Sequence, residues 1–337
     1  MLKKFYFILG ILLLSAFPLY SASSGTGIFP FLKINPAARP VGMGDIDCLV
    51  TSQAILVNPA VIPWLRSSEL SVQHLVYLSD VNYSLINYLK PIDGVSGISA
   101  SLGYLGVGGL KKTVYDPASI DGYTESGSFD YSDTLVQIAY GRTIARGFSF
   151  GSSIKAVQES IDGKSSIGAM VSLSGFYYTR GIPKRRGVKS YFKRDTDDWQ
   201  LGFGVFNIGP QVKGYNLPSG GYTSLGTWLS PSMFWAGEII NYSDGATELR
   251  TGLELSISDM LQLRGGYRHS LADNSLGSFP SVDITGGFGI MFQGFSVDYA
   301  WAPYGDLGQT HRLSFTARFG ESILPQQAKP KLLNPGK

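Results

Sequence analysis

The residues just before the C-terminal tail alternate strictly between apolar and polar side chains. In HRLSFTARFG, residues 311–320, every second position is apolar: Leu313, Phe315, Ala317 and Phe319. The positions between them are polar: Arg312, Ser314, Thr316 and Arg318. Because successive side chains of a β-strand point to opposite faces of the sheet, this pattern predicts a strand with one apolar face and one polar face. The two faces must meet two different environments.

The same period of two recurs along most of the chain and predicts an all-β protein. The segments QLRGGYR, SVDITGGFGIMF and FSVDYAW alternate in this way, and no helical pattern of useful length lies between residues 66 and 320. We predict about fourteen strands, at 68–78, 81–91, 95–115, 125–145, 148–159, 165–178, 198–209, 220–229, 232–242, 247–257, 260–270, 281–292, 294–303 and 310–319.

The composition favours a membrane β-barrel over the alternative of a secreted, soluble β-sandwich. Only 16% of the residues are charged, whereas a soluble domain usually carries about 25%. Aromatic residues are abundant, with 19 Tyr and 19 Phe. After residue 22 no apolar run reaches the length of about 18 residues that a membrane-spanning helix needs. Outer-membrane barrels have an even number of strands of about ten residues, which fits the predicted pattern.

We therefore predict a closed, antiparallel transmembrane β-barrel of about fourteen strands, with apolar side chains facing lipid and polar side chains facing the lumen. Closure removes the unpaired edges that a long antiparallel sheet would otherwise expose. The last strand ends in an aromatic residue, which is typical of the closing strand that the barrel-assembly machinery reads. The residues of this predicted assembly signal are Arg312, Leu313, Phe315 and Phe319.

The regions outside the barrel are predicted from their composition. Residues 1–22 are typical of a cleaved signal peptide, because Lys3 and Lys4 precede a short apolar run and small residues follow it; an uncleaved anchor helix is the alternative. Residues 23–67 are rich in Pro and Gly and do not alternate, residues 68–320 form the barrel, and residues 321–337 are predicted to be a flexible periplasmic tail. Export places the protein in the outer membrane of a Gram-negative-type (diderm) bacterium.

One connection between strands, residues 180–198, is strongly basic. It has seven basic residues from Arg180 to Arg194, and six of them are the predicted partner-binding residues: Lys184, Arg185, Arg186, Lys189, Lys193 and Arg194. Strand parity places this connection on the periplasmic side. It could bind an acidic partner or anionic lipid headgroups, or it could be a solvated turn with no partner.

The sequence does not favour an enzyme. The segment GFSFG around Ser149 matches the G-x-S-x-G pattern of serine hydrolases, but it continues as a strand instead of turning into a helix. The three histidines, His74, His269 and His311, are each predicted in a different strand. No His or carboxylate spacing indicates a metal site, and the only cysteine, Cys48, is expected to be a small packed residue. We expect no cofactor, and the net charge of +3 does not favour nucleic acid as a partner.

The segment FLKINPAARPVGMGDIDCLVTSQAILVNPAVI, residues 31–62, resembles the N-terminal signature of the PorV/PorQ family, a branch of the FadL-like outer-membrane barrels. The matching positions are 31–34, 38–39, 42–44 and 58–60. Two C-terminal segments, RTGLELSISDMLQLRGGYR and FSVDYAWAPYGDLGQTHRLSFTARF, are similar to strands of that family. The chain departs from the family in having Asp45, Ile46, Asp47 and Cys48 after Gly-Met-Gly, in Val61 after Asn-Pro-Ala, and in Leu255.

The resemblance implies a fourteen-stranded barrel whose N-terminal segment folds into the lumen as a plug. A lumen of this width cannot be filled by wall side chains alone. The plug residues that the resemblance marks as possible ligand contacts are Arg39, Gly42, Met43, Gly44, Asn58, Pro59 and Ala60. The alternative for these residues is a simple periplasmic lead-in.

The resemblance implies a non-enzymatic role in transport or secretion across the outer membrane. As a PorV-like protein, the barrel would bind proteins of type IX secretion at its rim. The alternative is a FadL-type channel for hydrophobic small molecules, and a general porin is a third possibility. The expected partners are outer-membrane lipid, the barrel-assembly machinery, and either secretion-system proteins or a hydrophobic ligand. Uptake predicts an apolar lumen pocket beside the plug, whereas an adaptor predicts a filled lumen.

Overall fold

The structure is a computed structural model that describes residues 27–47, 49–179, 198–271 and 282–320. Within these residues, fourteen strands form one closed barrel in which each strand pairs antiparallel with its neighbours in the sequence and β1 pairs with β14. The strands are β1 (Ser68–Val76), β2 (Asn82–Pro91), β3 (Ser96–Tyr115), β4 (Tyr123–Ala145), β5 (Phe148–Ile161), β6 (Lys164–Tyr178), β7 (Trp199–Ile208), β8 (Gly220–Ser230), β9 (Met233–Tyr242), β10 (Thr247–Ser256), β11 (Leu261–Ser270), β12 (Val282–Phe292), β13 (Phe295–Pro303) and β14 (Gln309–Phe319). The predicted fold class is confirmed.

The alternation of side chains explains which face of each strand looks outward. In β14 the outward residues Leu313 and Phe315 are 53% and 42% exposed, whereas Arg312 on the lumen face is 2% exposed. Large apolar side chains on the other strands are exposed in the same way, including Ile138, Ile154 and Ile284. An outward apolar band and a polar interior are the pattern that a barrel needs in lipid.

The two ends of the barrel differ. At one end, here called the turn end, β1 begins, β14 ends, and connections as short as 146–147, 231–232 and 293–294 join the strands. At the other end, the β3–β4 hairpin extends past its neighbours, because β2 pairs with β3 only as far as Gly106 and β5 pairs with β4 only from Tyr131. Residues 107–130 thus form a two-stranded arm, and we call this end the arm end. In outer-membrane barrels the short turns face the periplasm.

Residues 27–67 lie inside the barrel, and we call this segment the plug. It contains one short helix, α1 (Ala38–Gly42), and the 3₁₀ turns Pro30–Lys33, Ser52–Ala54 and Pro59–Trp64. Most of its side chains are buried against the lumen wall, including Phe31, Met43, Ile46 and Ile62. A Pro- and Gly-rich segment suits this position because it can turn repeatedly in a narrow space.

Among the described residues, no helix is both long and apolar enough to cross a membrane. Four predicted features lie outside the described residues: the signal peptide, Cys48, the six predicted partner-binding residues of the connection 180–198, and the tail 321–337. They stay predictions.

Candidate functional site

The plug contacts the wall most closely through backbone, at glycines of both partners. A Cβ on Gly252 would overlap with the carbonyl of Met43, and a Cβ on Gly266 would overlap with the nitrogen of Gly44. A Cβ on Gly42 would lie 3.4 Å from the Cα of Gly287. The Gly-Met-Gly segment predicted as a contact region is therefore pressed against β10, β11 and β12, where wall glycines leave room for it.

Arg39, predicted as a plug contact, is held by a chain of buried ion pairs. Its Nε and Nη2 atoms donate to the two carboxylate oxygens of Glu254, each at 2.9 Å. Glu254 also accepts from Arg264 at 2.8 Å, and Arg264 donates to Asp298 at 2.7 Å. Asp298 then accepts from Gln53 of the plug at 2.9 Å. This series of contacts therefore begins at Arg39 of the plug, continues through three side chains of the lumen wall and ends at Gln53 of the plug.

A second buried cluster surrounds Arg250 of β10. Its guanidinium lies 3.4 Å from carboxylate oxygens of Asp45, Asp47 and Glu238, and 2.9 Å from Glu248. Burial is the largest single effect and opposes the charge of Asp45, but the guanidinium groups of Arg250, Arg268 and Arg312 and the hydrogen bond from Asn35 together outweigh it, so the pKa of this carboxyl lies below its ordinary value. Burial, and then the neighbouring charge of Asp45, raise the pKa of Asp47 to about 7. The two neighbouring carboxyl groups of the plug therefore differ in pKa, which is lowered for Asp45 and raised for Asp47.

The predicted contact residues Asn58, Pro59 and Ala60 lie on the opposite wall. Ala60 N donates to Ser174 Oγ of β6 at 2.9 Å, and Ser149 Oγ of β5 donates to the carbonyl of Ala60 at 2.7 Å. Ser149, the central residue of GFSFG, lies within strand β5, as predicted for this motif, and its side chain also anchors the plug. The side chain of Asn58 is fully buried and neither of its polar atoms has a hydrogen-bond partner among the described residues.

The wall that β1–β6 form meets the plug mainly through apolar side chains. Towards the arm end, Phe29 and Phe31 of the plug pack in a cluster with Leu75, Tyr83 and Leu105. Towards the turn end, another cluster unites plug and wall residues: Ile55, Ile62, Trp64, Leu89 and Phe176. Among the described residues, the ion pairs of the plug are thus made on the side of β9–β13, whereas apolar clusters pack it against β1–β6 and also against β8, β9 and β13.

A cavity of about 40 Å³ remains between the plug and the wall. It is lined by Leu32, Lys33, Ile34, Asn35, Asp45, Asp47, Gln53, Leu56 and Val57 of the plug, and by Tyr83, Leu135, Lys155, Phe206, Asn207, Ile240, Tyr242 and Arg250 of the wall. A cavity of about 150 Å³ is known to admit benzene. The cavity of this protein is therefore too small for an aromatic ring unless the plug moves.

Sequence reasoning missed part of this site. Lys155 and Asn207 carried no sequence signal, because a polar residue at an inward position of a strand is what any barrel shows. Asp45 and Asp47 did carry one, since they stand where the resembling family has small apolar residues. The structure brings both aspartates to Arg250, 205 positions away from Asp45 in the sequence.

The other predicted site residues lie elsewhere. Of the assembly-signal residues, Leu313, Phe315 and Phe319 lie on the outer face of β14, whereas Arg312 faces the lumen and donates from Nε to the carbonyl of Asn35 in the plug at 2.8 Å. His74 and His311 lie on the outer face of the paired strands β1 and β14, two positions apart in register, and each ring makes a hydrogen bond, to Ser84 and Tyr299 respectively. Within the described part of the chain, no group of three or more His, Cys, Asp or Glu side chains is arranged to hold a metal ion.

Comparison with known proteins identifies the fold. No protein-family model matches the chain, and no curated protein sequence matches it. Similar solved structures include the toluene transporter TodX of P. putida, with a TM-score of 0.60 and 14% identity over 88% of this chain and 99% of that chain. They also include the CymD monoaromatic hydrocarbon channel, with a TM-score of 0.58 and 11% identity over 89% of this chain and 100% of that chain. The chain therefore shares the fold of these solved structures, which here is a closed antiparallel barrel of fourteen strands.

Proposed function

We propose that this protein is a FadL-type outer-membrane channel through which hydrophobic small molecules pass by displacing the plug. The observation that carries the proposal is the cavity between the plug and the lumen wall, one side of which is apolar. The likeness to a toluene transporter and a monoaromatic hydrocarbon channel supports the same class of cargo. The proposal includes export by a cleaved signal peptide and residence in the outer membrane of a diderm bacterium.

The asymmetric attachment of the plug suggests how a cargo passes. On the side of β9–β13, breaking a buried ion pair such as Asp45–Arg250 would leave a buried carboxylate without its guanidinium partner, which typically costs about 3–5 kcal/mol. On the side of β1–β6, an apolar cargo can replace the apolar contacts of Phe31 or Ile62 with contacts of its own. The plug therefore stays attached to β9–β13 while cargo passes along β1–β6.

A second candidate function is that of a secretion adaptor related to the PorV/PorQ family, which the motifs in residues 31–62 resemble. The small size of the cavity favours it, because an adaptor needs a filled lumen and no ligand space. The arm of residues 107–130 also presents exposed side chains for a partner, among them Val114, Tyr115 and Ile120.

Native mass spectrometry of the protein purified from outer membranes in mild detergent separates the two functions. A channel is expected to retain a hydrophobic small molecule or lipid, and to lose it when residues 31–62 are deleted. Retention of a stoichiometric protein partner with no small ligand would overturn the channel proposal in favour of the adaptor. A deletion variant that fails to form a barrel is replaced by Val57→Leu, whose added methylene group reduces the cavity without introducing a ring.

A further inference from the structure

The cavity contains a buried lysine amino group whose hydrogen-bond donors are not all used within the described residues. Lys155 of β5 is 3% exposed and lines the cavity. An ammonium carries three N–H donors. Within the described residues, the Nζ of Lys155 makes one hydrogen bond, to Asn207 Oδ1 at 2.7 Å. Because a buried donor without an acceptor is costly, this group is suited to receive an acceptor from a bound molecule.

The partner of Lys155 is held in a strained position. Asn207 has a φ of 56°, which is unusual for a residue other than glycine, and it lies where the register between β6 and β7 is irregular. Its backbone N–H donates to Ser172 Oγ, and its amide nitrogen donates to the carbonyl of Pro218, each at 3.2 Å. These bonds orient the amide oxygen towards Lys155. Strained residues at strand irregularities often position functional groups.

The surroundings of Lys155 are apolar on the wall side. Leu135, Phe206 and Ile240 line the same cavity, and Leu56 and Val57 of the plug close it. A molecule bound in this place would therefore have an apolar body with one polar group directed at Lys155.

The charges around the cavity determine which polar group fits. Among the described residues, the charged side chains that line the cavity and their ion-pair partners comprise five carboxylates and four basic groups. The carboxylates are Asp45, Asp47, Glu238, Asp244 and Glu248, and the basic groups are Lys33, Lys155, Arg250 and Arg268. The acidic groups outnumber the basic groups by one, and burial together with the charge of Asp45 already raises the pKa of Asp47, so a further carboxylate in this buried place would be disfavoured. A neutral acceptor is not subject to this penalty.

We propose that the cavity binds hydrophobic molecules carrying one neutral hydroxyl group, such as phenols or alcohols, and that the hydroxyl oxygen accepts a hydrogen bond from Lys155. This inference rests on the proposed channel function and narrows its cargo. The apolar body of the molecule displaces Leu56 and Val57 of the plug, because the cavity is too small for a ring when the plug is in place.

The test compares three ligands of similar shape: toluene, p-cresol and p-toluate. Binding to the full chain in lipid nanodiscs is measured by equilibrium dialysis, with binding to protein-free nanodiscs subtracted. We expect p-cresol to bind about tenfold more tightly than either toluene or p-toluate. Equal binding of toluene and p-cresol, or tightest binding of p-toluate, would overturn the inference while leaving the channel function intact. Binding of none of the three would count against the channel function itself.

Two variants identify the residue responsible. Lys155→Met keeps the length of the side chain but removes the donor, and it is expected to abolish the preference for p-cresol over toluene. The matched control is Lys33→Met, because Lys33 also lines the cavity but already pairs with Asp244. If Lys155→Met keeps the full preference, Lys155 is not the group that binds the hydroxyl. If that variant does not fold, the order of the three ligands in the unmodified protein still decides the inference.

Discussion

The backbone nitrogen of Gly44 occupies the space that a Cβ on Gly266 would fill. This contact joins the plug to β11 without side chains of either residue, and Gly44 N also donates to Thr285 Oγ1 of β12 at 3.0 Å. The position of Gly44 has a φ of 81°, which a residue with a Cβ rarely adopts. At this place the backbone of the plug and that of the wall are so close that Gly266 has no room for a side chain.

Gly266→Ala is expected to unseat the plug while leaving the barrel closed, because the added methyl group overlaps with plug backbone and not with a neighbouring strand. The measurement is the rate at which trypsin cleaves the N-terminal segment of the folded protein, which should rise. Gly265→Ala is the matched control, since a Cβ on Gly265 has no neighbour within 4 Å among the described residues. Equal cleavage of the two variants would contradict the described contact.

Glu254→Ala is expected to loosen the plug by about 3–5 kcal/mol, because the buried Arg264 loses a partner and Arg39 loses its bidentate contact. The urea concentration at which the plug becomes sensitive to trypsin should fall. Glu125→Ala serves as the control, because its pair with Lys111 is exposed and such pairs contribute about 0–1 kcal/mol. An unchanged urea midpoint for Glu254→Ala would show that the ion-pair chain does not hold the plug.

Two crosslinks test on which side the plug opens. Ala38 N donates to Ser314 Oγ on the ion-paired side, and Ala60 N donates to Ser174 Oγ on the apolar side, both at 2.9 Å. In a Cys48→Ala background, each pair is replaced by two cysteines and joined by a short bifunctional thiol reagent. The crosslink between positions 60 and 174 should stop uptake of labelled p-cresol, and the one between 38 and 314 should not. The reverse result would mean that the plug opens towards β14.

Phe319→Ser is expected to lower the yield of folded barrel in the outer membrane, because Phe319 ends the closing strand that is predicted to be read during assembly. Folded and unfolded chains are separated by their different mobility in unheated gel samples. Phe292→Ser is the matched control, since Phe292 is an equally exposed aromatic residue at the end of β12. The assembly-signal prediction fails if both variants reduce the yield to the same extent.

The alternation of apolar and polar residues along the sequence predicts most strands of the barrel. The described strands begin and end within a few residues of the predicted ones; β5, for example, was predicted at 148–159 and spans Phe148–Ile161. This succeeds because the period of two is imposed residue by residue, by lipid on one face of the wall and a polar lumen on the other. Even the exposed Leu313 and the buried Arg312 follow from their places in the alternation.

The sequence by itself therefore determined the strands, their inward and outward faces, and the exclusion of residues 27–67 from the wall. Only the tertiary structure decided which groups meet inside the lumen. Gln53 meets Asp298, 245 positions away, and Lys155 meets Asn207, 52 positions away. The first pairing depends on how the plug folds back against the closed barrel, and the second on the irregular register between β6 and β7 that places Asn207. The alternation of apolar and polar residues does not contain this information, because any polar residue at an inward position fits the pattern equally well.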